Sequence, residues 1–158
     1  MKREREVERC EEDTKCYRQR IERDEAKIKG YCQEIKEFSQ DIKGYQQKIE
    51  VLRLLKCNHI SQDSLLRNHP NQESLINDWF GKDDPMIDSQ IESVQKMIQL
   101  ADDRIKFADG RIKFADDRIK FADDRIKFAD DGIKFARESI QCYYGRFNAV
   151  PGHISLNL

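Results

Sequence analysis

The sequence has few residues that interrupt helices and no long apolar run. Its 158 residues include only 3 prolines and 7 glycines, while charged residues make up 37% of the chain. This bias is typical of long helices and coiled coils and unlike that of a close-packed globule. No segment approaches the roughly 18 consecutive apolar residues of a membrane-spanning helix. The composition therefore predicts an elongated helical protein and makes a membrane partner unlikely.

The sequence also lacks an excess of charge of either sign. Its 29 basic and 30 acidic side chains give a formal net charge of −1, and no segment of the chain is strongly one-signed. Nucleic-acid binders carry a basic patch or stripe, and segments that bind anionic lipids carry clusters of Lys and Arg. We therefore predict no nucleic-acid partner.

The cysteines do not form the pattern of a disulfide framework. They are odd in number and scattered, at Cys10, Cys16, Cys32, Cys57 and Cys142. The first residues, MKRERE, alternate in charge and precede no apolar segment of the kind found in secretory signals. Reduced cysteines are typical of intracellular proteins, so we expect an intracellular protein, with cytoplasm and nucleus as open alternatives.

A seven-residue unit, IKFADDR, repeats along the C-terminal half of the chain. Isoleucine recurs every seven residues from Ile91 to Ile140, and three positions after each isoleucine comes a small or apolar residue, alanine in six consecutive units. With isoleucine at position a of a heptad, the second series occupies position d. Such a sustained a/d pattern predicts a coiled coil with a left-handed supercoil.

The N-terminal third has the same period in a more varied sequence. Isoleucine again recurs every seven residues from Ile21 to Ile49. Two heptad segments joined by a short connector can fold back on each other. We therefore predict an all-α fold in which two long heptad-repeat helices form an antiparallel coiled-coil hairpin with a small helical head at the turn. The predicted seam consists of Ile21, Ile28, Ile35, Ile42, Ile49, Ile98, Ile105, Ile112, Ile119 and Ile126.

Helix start and stop signals divide the chain into four parts. We predict a first coiled-coil arm over residues 1–57, a connector with a helical head over 58–84, a second arm over 85–144 and a flexible tail over 145–158. Asn71 after Pro70 predicts a short helix that Gly81 ends, Asp84 before Pro85 predicts the start of the second arm, and Gly145 predicts its end. Since the repeats are interchangeable, we expect the head and unique residues such as Tyr17 and Asp24 to set the register.

Five phenylalanines at position c form a line outside the predicted seam. This phenylalanine strip comprises Phe107, Phe114, Phe121, Phe128 and Phe135. An aligned apolar row on a charged helix is typical of an interface, either with a second copy or with a coiled-coil partner. Alternatively, the rings lean over the alanine row as part of a wide core-facing side. Trp79 and Phe80 in the head are the other predicted interface residues.

No residue pattern predicts chemistry. The close pair Cys57 and His59 falls short of the four ligands of a zinc site, and a Cys57/His69 nucleophile pair has no accompanying oxyanion motif. There is also no glycine-rich phosphate loop and no metalloprotease motif. We therefore predict no catalytic, cofactor-binding or metal-binding residues.

A structural or scaffolding role is the function that these features favour, and we do not expect an enzyme. One alternative is a peripheral lipid-associating amphipathic helix, although Lys and Arg do not dominate the polar face as anionic membranes require. The other is a regulatory coiled-coil subunit of a nuclear complex.

Overall fold

A computed structural model describes residues 2–56 and 59–148 of the chain. Helix α1 spans Lys2–Lys56, α2 spans Gln62–Asn68, a 3₁₀ turn spans Pro70–Gln72, α3 spans Glu73–Trp79 and α4 spans Asp84–Asn148. No strand occurs within these two described ranges. Helix α1 packs against α4, as in a helical hairpin. The predicted all-α fold is thereby confirmed.

Side-chain caps mark the starts of α2 and α4, and a glycine in a left-handed conformation follows α3. The Ser64 N–H donates to Ser61 Oγ (3.2 Å) at the start of α2, and the Met86 N–H donates to Asp83 Oδ1 (3.3 Å) at the start of α4. Both are side-chain caps of orphan helix donors. Gly81 follows α3 with a φ of 81°, a left-handed conformation that glycine adopts without steric cost. The cap of α4 is thus Asp83, one residue before the predicted Asp84.

Helix α4 extends beyond its predicted end. Gly145 lies inside the helix, which ends at Asn148. A glycine costs only about 1 kcal/mol in a helix interior, and the next strong helix breaker, Pro151, comes six residues later. A single glycine was therefore an insufficient stop signal. Residues 149–158 of the predicted tail lie outside the described residues.

The chain divides into two compact units. Of the described residues, the first unit comprises 2–27 of α1 and 114–148 of α4, and the second comprises 28–56 and 59–113. Each unit contains a part of α1 and a part of α4.

The second unit contains a conventional apolar core. Side chains from all four helices contribute, and Leu52, Leu65 and Ile76 are among those with almost no exposed surface. At the edge of this core, Lys56 Nζ lies 2.6 Å from Asp88 Oδ1. The core cluster consists of Ile49, Val51, Leu52 and Leu55 of α1, Leu65 of α2, Ile76 of α3, and Ile87, Ile91 and Val94 of α4.

The first unit has a narrow interior lined by alanine and by two polar residues. Four alanines of α4, Ala115, Ala122, Ala129 and Ala136, are buried. From α1, Thr14 and Asp24 are the buried polar residues. Thr14 Oγ1 donates to the Cys10 carbonyl (2.9 Å), so its hydroxyl is satisfied within its own helix. The buried carboxylate of Asp24 requires a partner from α4, because an unpaired charge is costly to bury.

Candidate functional site

The phenylalanine strip is the most distinctive surface of the protein. In the first unit, the side chains of Phe114, Phe121, Phe128 and Phe135 are 61–74% exposed. Phe107, in the second unit, is 63% exposed. The neighbouring alanine row is buried, whereas the rings are not. Within the described chain the strip therefore lies on the surface, and the rings do not close over the alanines.

An arginine four residues after most rings covers part of the ring face. In the first unit, Arg118 Cζ lies 5.9 Å from the centre of the Phe114 ring, and Arg125 Cζ lies 5.8 Å from that of Phe121. These are cation–π distances. Phe128, followed four residues later by Gly132 instead of arginine, is the most exposed member of the strip. The arginines thus shield the rings in part.

The same arginines contact α1 on their other side. Arg118 Nε lies 3.2 Å from the buried Asp24 Oδ2, which supplies the charge partner that this carboxylate needs. Arg125 Nε donates to the Tyr17 hydroxyl (3.3 Å). That hydrogen bond raises the pKa of Arg125, electrostatic interaction with Tyr17 and, less, with Asp13 acts in the same direction, and desolvation opposes them. Arginine is charged at neutral pH in any case, so Arg125 can donate to the Tyr17 hydroxyl there.

The predicted seam isoleucines are less buried than the alanines. From Ile98 to Ala136, isoleucine and alanine alternate along α4, and each alanine is buried while each isoleucine is half-buried. Two helices approach closely along a row of small residues, and a larger side chain next to that row is covered on one side only. Ile49 is buried, and the half-buried members are Ile21, Ile28, Ile35, Ile42, Ile98, Ile105, Ile112, Ile119 and Ile126.

The two predicted interface residues of the head differ in exposure. Trp79 is half-buried and packs against the apolar core of the second unit. Phe80, the residue that follows α3, is exposed. The head thus offers one anchored aromatic residue and one exposed aromatic residue.

Sequence reasoning missed two residues that occupy the same heptad position as the strip. Leu100, seven residues before Phe107, is exposed and lines a shallow groove of the second unit together with Phe38 and Phe107. Cys142, seven residues after Phe135, is an exposed free thiol of the first unit. The seven-residue spacing could have identified both, but neither residue is a phenylalanine.

The described residues offer no constellation for metal chemistry. Across residues 2–56 and 59–148, no group of three or more His, Cys, Asp or Glu side chains is arranged to hold a metal ion. Cys57 lies outside the described residues, so neither its pairing with His59 nor its pairing with His69 is tested. No helix in the described part of the chain is both long and apolar enough to cross a membrane.

Comparison with known proteins adds no further guide. No protein-family model matches the chain, and no similar curated protein or solved structure was found. The surface itself is therefore the guide to function. That surface combines exposed aromatic rings with charged residues of both signs.

Proposed function

We propose that the protein is a structural or scaffolding coiled-coil protein that associates with itself or with a coiled-coil partner. The strict seven-residue period of both long helices supports a left-handed coiled-coil hairpin. Near-identical heptads lengthen such a hairpin without changing its chemistry. The proposed role is accordingly to provide length and a repeated binding surface, and not to catalyse a reaction.

The exposure of the phenylalanine strip is the observation that carries this proposal. A buried aromatic side chain removes about 150–250 Å² from water. With the exposures of the four rings in the first unit, covering them would remove roughly 500 Å² per copy. An apolar surface of this size is in the range of the largest patches on soluble monomers, which are often functional. The strip is therefore proposed as the main contact surface.

Removing the rings tests the proposal. We expect that replacing Phe114, Phe121 and Phe128 by Ser dissociates the assembly while the chain stays highly helical, because these side chains are exposed in the hairpin. Sedimentation across a concentration series gives the mass, and circular dichroism on the same samples gives the helicity. A variant with Lys113, Lys120 and Lys127 replaced by Ser is the matched control, since each lysine precedes one of the rings on the same helix.

The outcomes separate self-association from other uses of the strip. An unchanged mass in the phenylalanine variant would show that the strip is not the contact. A wild-type chain that is monomeric at all concentrations, but floats with vesicles containing anionic phospholipid, would replace the scaffold proposal with the lipid-associating alternative. The acidic residues beside the rings argue against that result, because anionic membranes favour a polar face of Lys and Arg.

A further inference from the structure

We propose that the surface covering the strip is the same strip of a second copy, with the two α4 helices side by side and parallel. This inference rests on the proposed function of self-association and adds its geometry. In the first unit the strip consists of Phe114, Phe121, Phe128 and Phe135.

The two edges of the strip carry opposite charges. A residue three positions after each ring lies about 60° to one side of it, and a residue four positions after lies about 40° to the other side. The first set is acidic: Asp117, Asp124 and Asp131. The second set is basic at Arg118 and Arg125, with Gly132 in the third place.

This charge arrangement distinguishes the two possible orientations of a symmetric pair. When two helices face each other in parallel, the left edge of one meets the right edge of the other, as g meets e in parallel coiled coils. When they are antiparallel, like edges meet. The parallel pair thus places acidic residues beside basic ones, whereas the antiparallel pair places Asp beside Asp and Arg beside Arg. Opposed like charges disfavour an interface.

The parallel pair yields specific contacts. Asp117 of one copy lies beside Arg118 of the second copy, and Asp124 beside Arg125, with each pair occurring twice by symmetry. Asp117 is available for this contact, because its ion pair with Lys120 is long at 3.9 Å and both side chains are more than three-quarters exposed. Arg118 retains donors besides the one that faces Asp24, since a guanidinium has five N–H groups.

The rings of the two copies would then meet at equal heights along the shared axis. Each ring faces its own counterpart, an arrangement that permits offset or edge-to-face contact. The rings alone would bury roughly 1,000 Å² over both copies, and the flanking Asp and Arg side chains extend this toward the 1,200–2,000 Å² of specific interfaces.

The native Cys142 provides a test of orientation. It lies seven residues after Phe135 on the line of the strip and is exposed. In a parallel pair the two Cys142 thiols face each other. In an antiparallel pair they lie far apart, because the 28 residues between Phe114 and Cys142 rise by about 42 Å.

The cross-linking experiment uses the full chain with Cys10, Cys16, Cys32 and Cys57 replaced by Ser. Diamide oxidises two facing thiols to a disulfide and is itself reduced to the hydrazine. We expect a covalent dimer as the major product. The matched control adds Gln141→Cys and Cys142→Ser, which moves the thiol about 100° around the helix, and we expect little dimer from it. Equal yields of disulfide-linked dimer from the two variants would overturn the parallel arrangement. The absence of that product from a chain that sediments as a dimer would overturn it as well.

A second experiment tests the charged edges. We expect the double variant Asp117→Lys and Asp124→Lys to raise the dissociation constant by at least about tenfold, because four ion pairs become four repulsions. The control is Glu8→Lys with Glu12→Lys, which makes the same change of charge at exposed positions of α1. An equal effect of both variants, or no effect of either, would contradict the inference.

These results also separate the inference from the function on which it rests. If the wild-type chain is monomeric, both fail. If Phe114→Ser, Phe121→Ser and Phe128→Ser together dissociate an oligomer while Cys142 forms no disulfide and the charge variants behave alike, self-association stands and the parallel arrangement falls.

Discussion

The ion pair between Asp24 and Arg118 allows a quantitative test of the first unit. Asp24 is 3% exposed in an alanine-lined interior, and Arg118 Nε is 3.2 Å from its carboxylate. Removing one partner of a buried ion pair costs about 3–5 kcal/mol, because the other charge is left uncompensated. The Arg118 side chain is itself 48% exposed, so water can replace part of its interaction with the Asp24 carboxylate. We therefore expect Arg118→Ala to lower the free energy of unfolding by about 3 kcal/mol, at the bottom of that range.

The repeat supplies a matched control for this variant. Arg125 occupies the same heptad position, with its guanidinium over Phe121 and its Nε on the Tyr17 hydroxyl. Arg125→Ala removes a similar cation–π contact and a hydrogen bond, but it leaves no buried charge behind. Its expected cost is much smaller than that of Arg118→Ala. The difference between the free energies of unfolding of the two variants measures the cost of leaving the Asp24 carboxylate without a charge partner.

Urea unfolding followed by circular dichroism measures these free energies. Removing both charges, with Asp24→Leu and Arg118→Ala together, should recover most of the loss, because apolar replacement of a buried ion pair is often neutral or stabilising. Equal costs for Arg118→Ala and Arg125→Ala, or a double variant as unstable as Arg118→Ala alone, would refute the reasoning.

Two further variants test the glycine that interrupts the arginine row and the isoleucines of the predicted seam. Gly132→Ala should raise the free energy of unfolding by about 1 kcal/mol through helix propensity, since the added Cβ would lie at an ordinary 3.6 Å from Cys10 Sγ; a less stable variant in urea unfolding would contradict this. The double variant Ile35→Asp with Ile42→Asp should abolish cooperative thermal unfolding of the hairpin. The control Lys36→Asp with Lys43→Asp, one residue further around the helix, should leave that transition nearly intact. Equal melting curves for the two variants would contradict the proposed heptad pairing.

Much of the fold follows from the sequence because its period is strict. Scarce proline and isoleucine every seven residues predicted two long helices, and the packing of α1 against α4 confirms a helical pair. The relative burial of the rows was not predictable. Whether isoleucine or alanine is fully covered depends on how closely the helices approach, and the heptad pattern places both on the same side.

The candidate site was predictable in position but not in its contacts. The spacing of the phenylalanines placed them outside the seam, and they are exposed. The partner of Asp24 could not be inferred, since Arg104, Arg111, Arg118 and Arg125 are equivalent in the repeat. Choosing among them requires the register between the helices, and identical heptads do not specify it.

The register of the first unit depends on where the repeat is broken. A slip of one heptad would bring Asp24 to Arg111 or Arg125, which offer the same guanidinium, so the buried ion pair alone cannot exclude it. A slip that pairs Asp24 with Arg125 would, however, place Tyr17 opposite Gly132 and Cys10 opposite Ser139. A slip that pairs Asp24 with Arg111 would place Tyr17 opposite Arg118 and Cys10 opposite Arg125. In the first case the Tyr17 hydroxyl loses its donor, and in the second case an arginine side chain has to fit beside Cys10. The Cys10–Gly132 and Tyr17–Arg125 contacts therefore distinguish the observed register from its neighbours, while the repeats maintain a uniform surface around them.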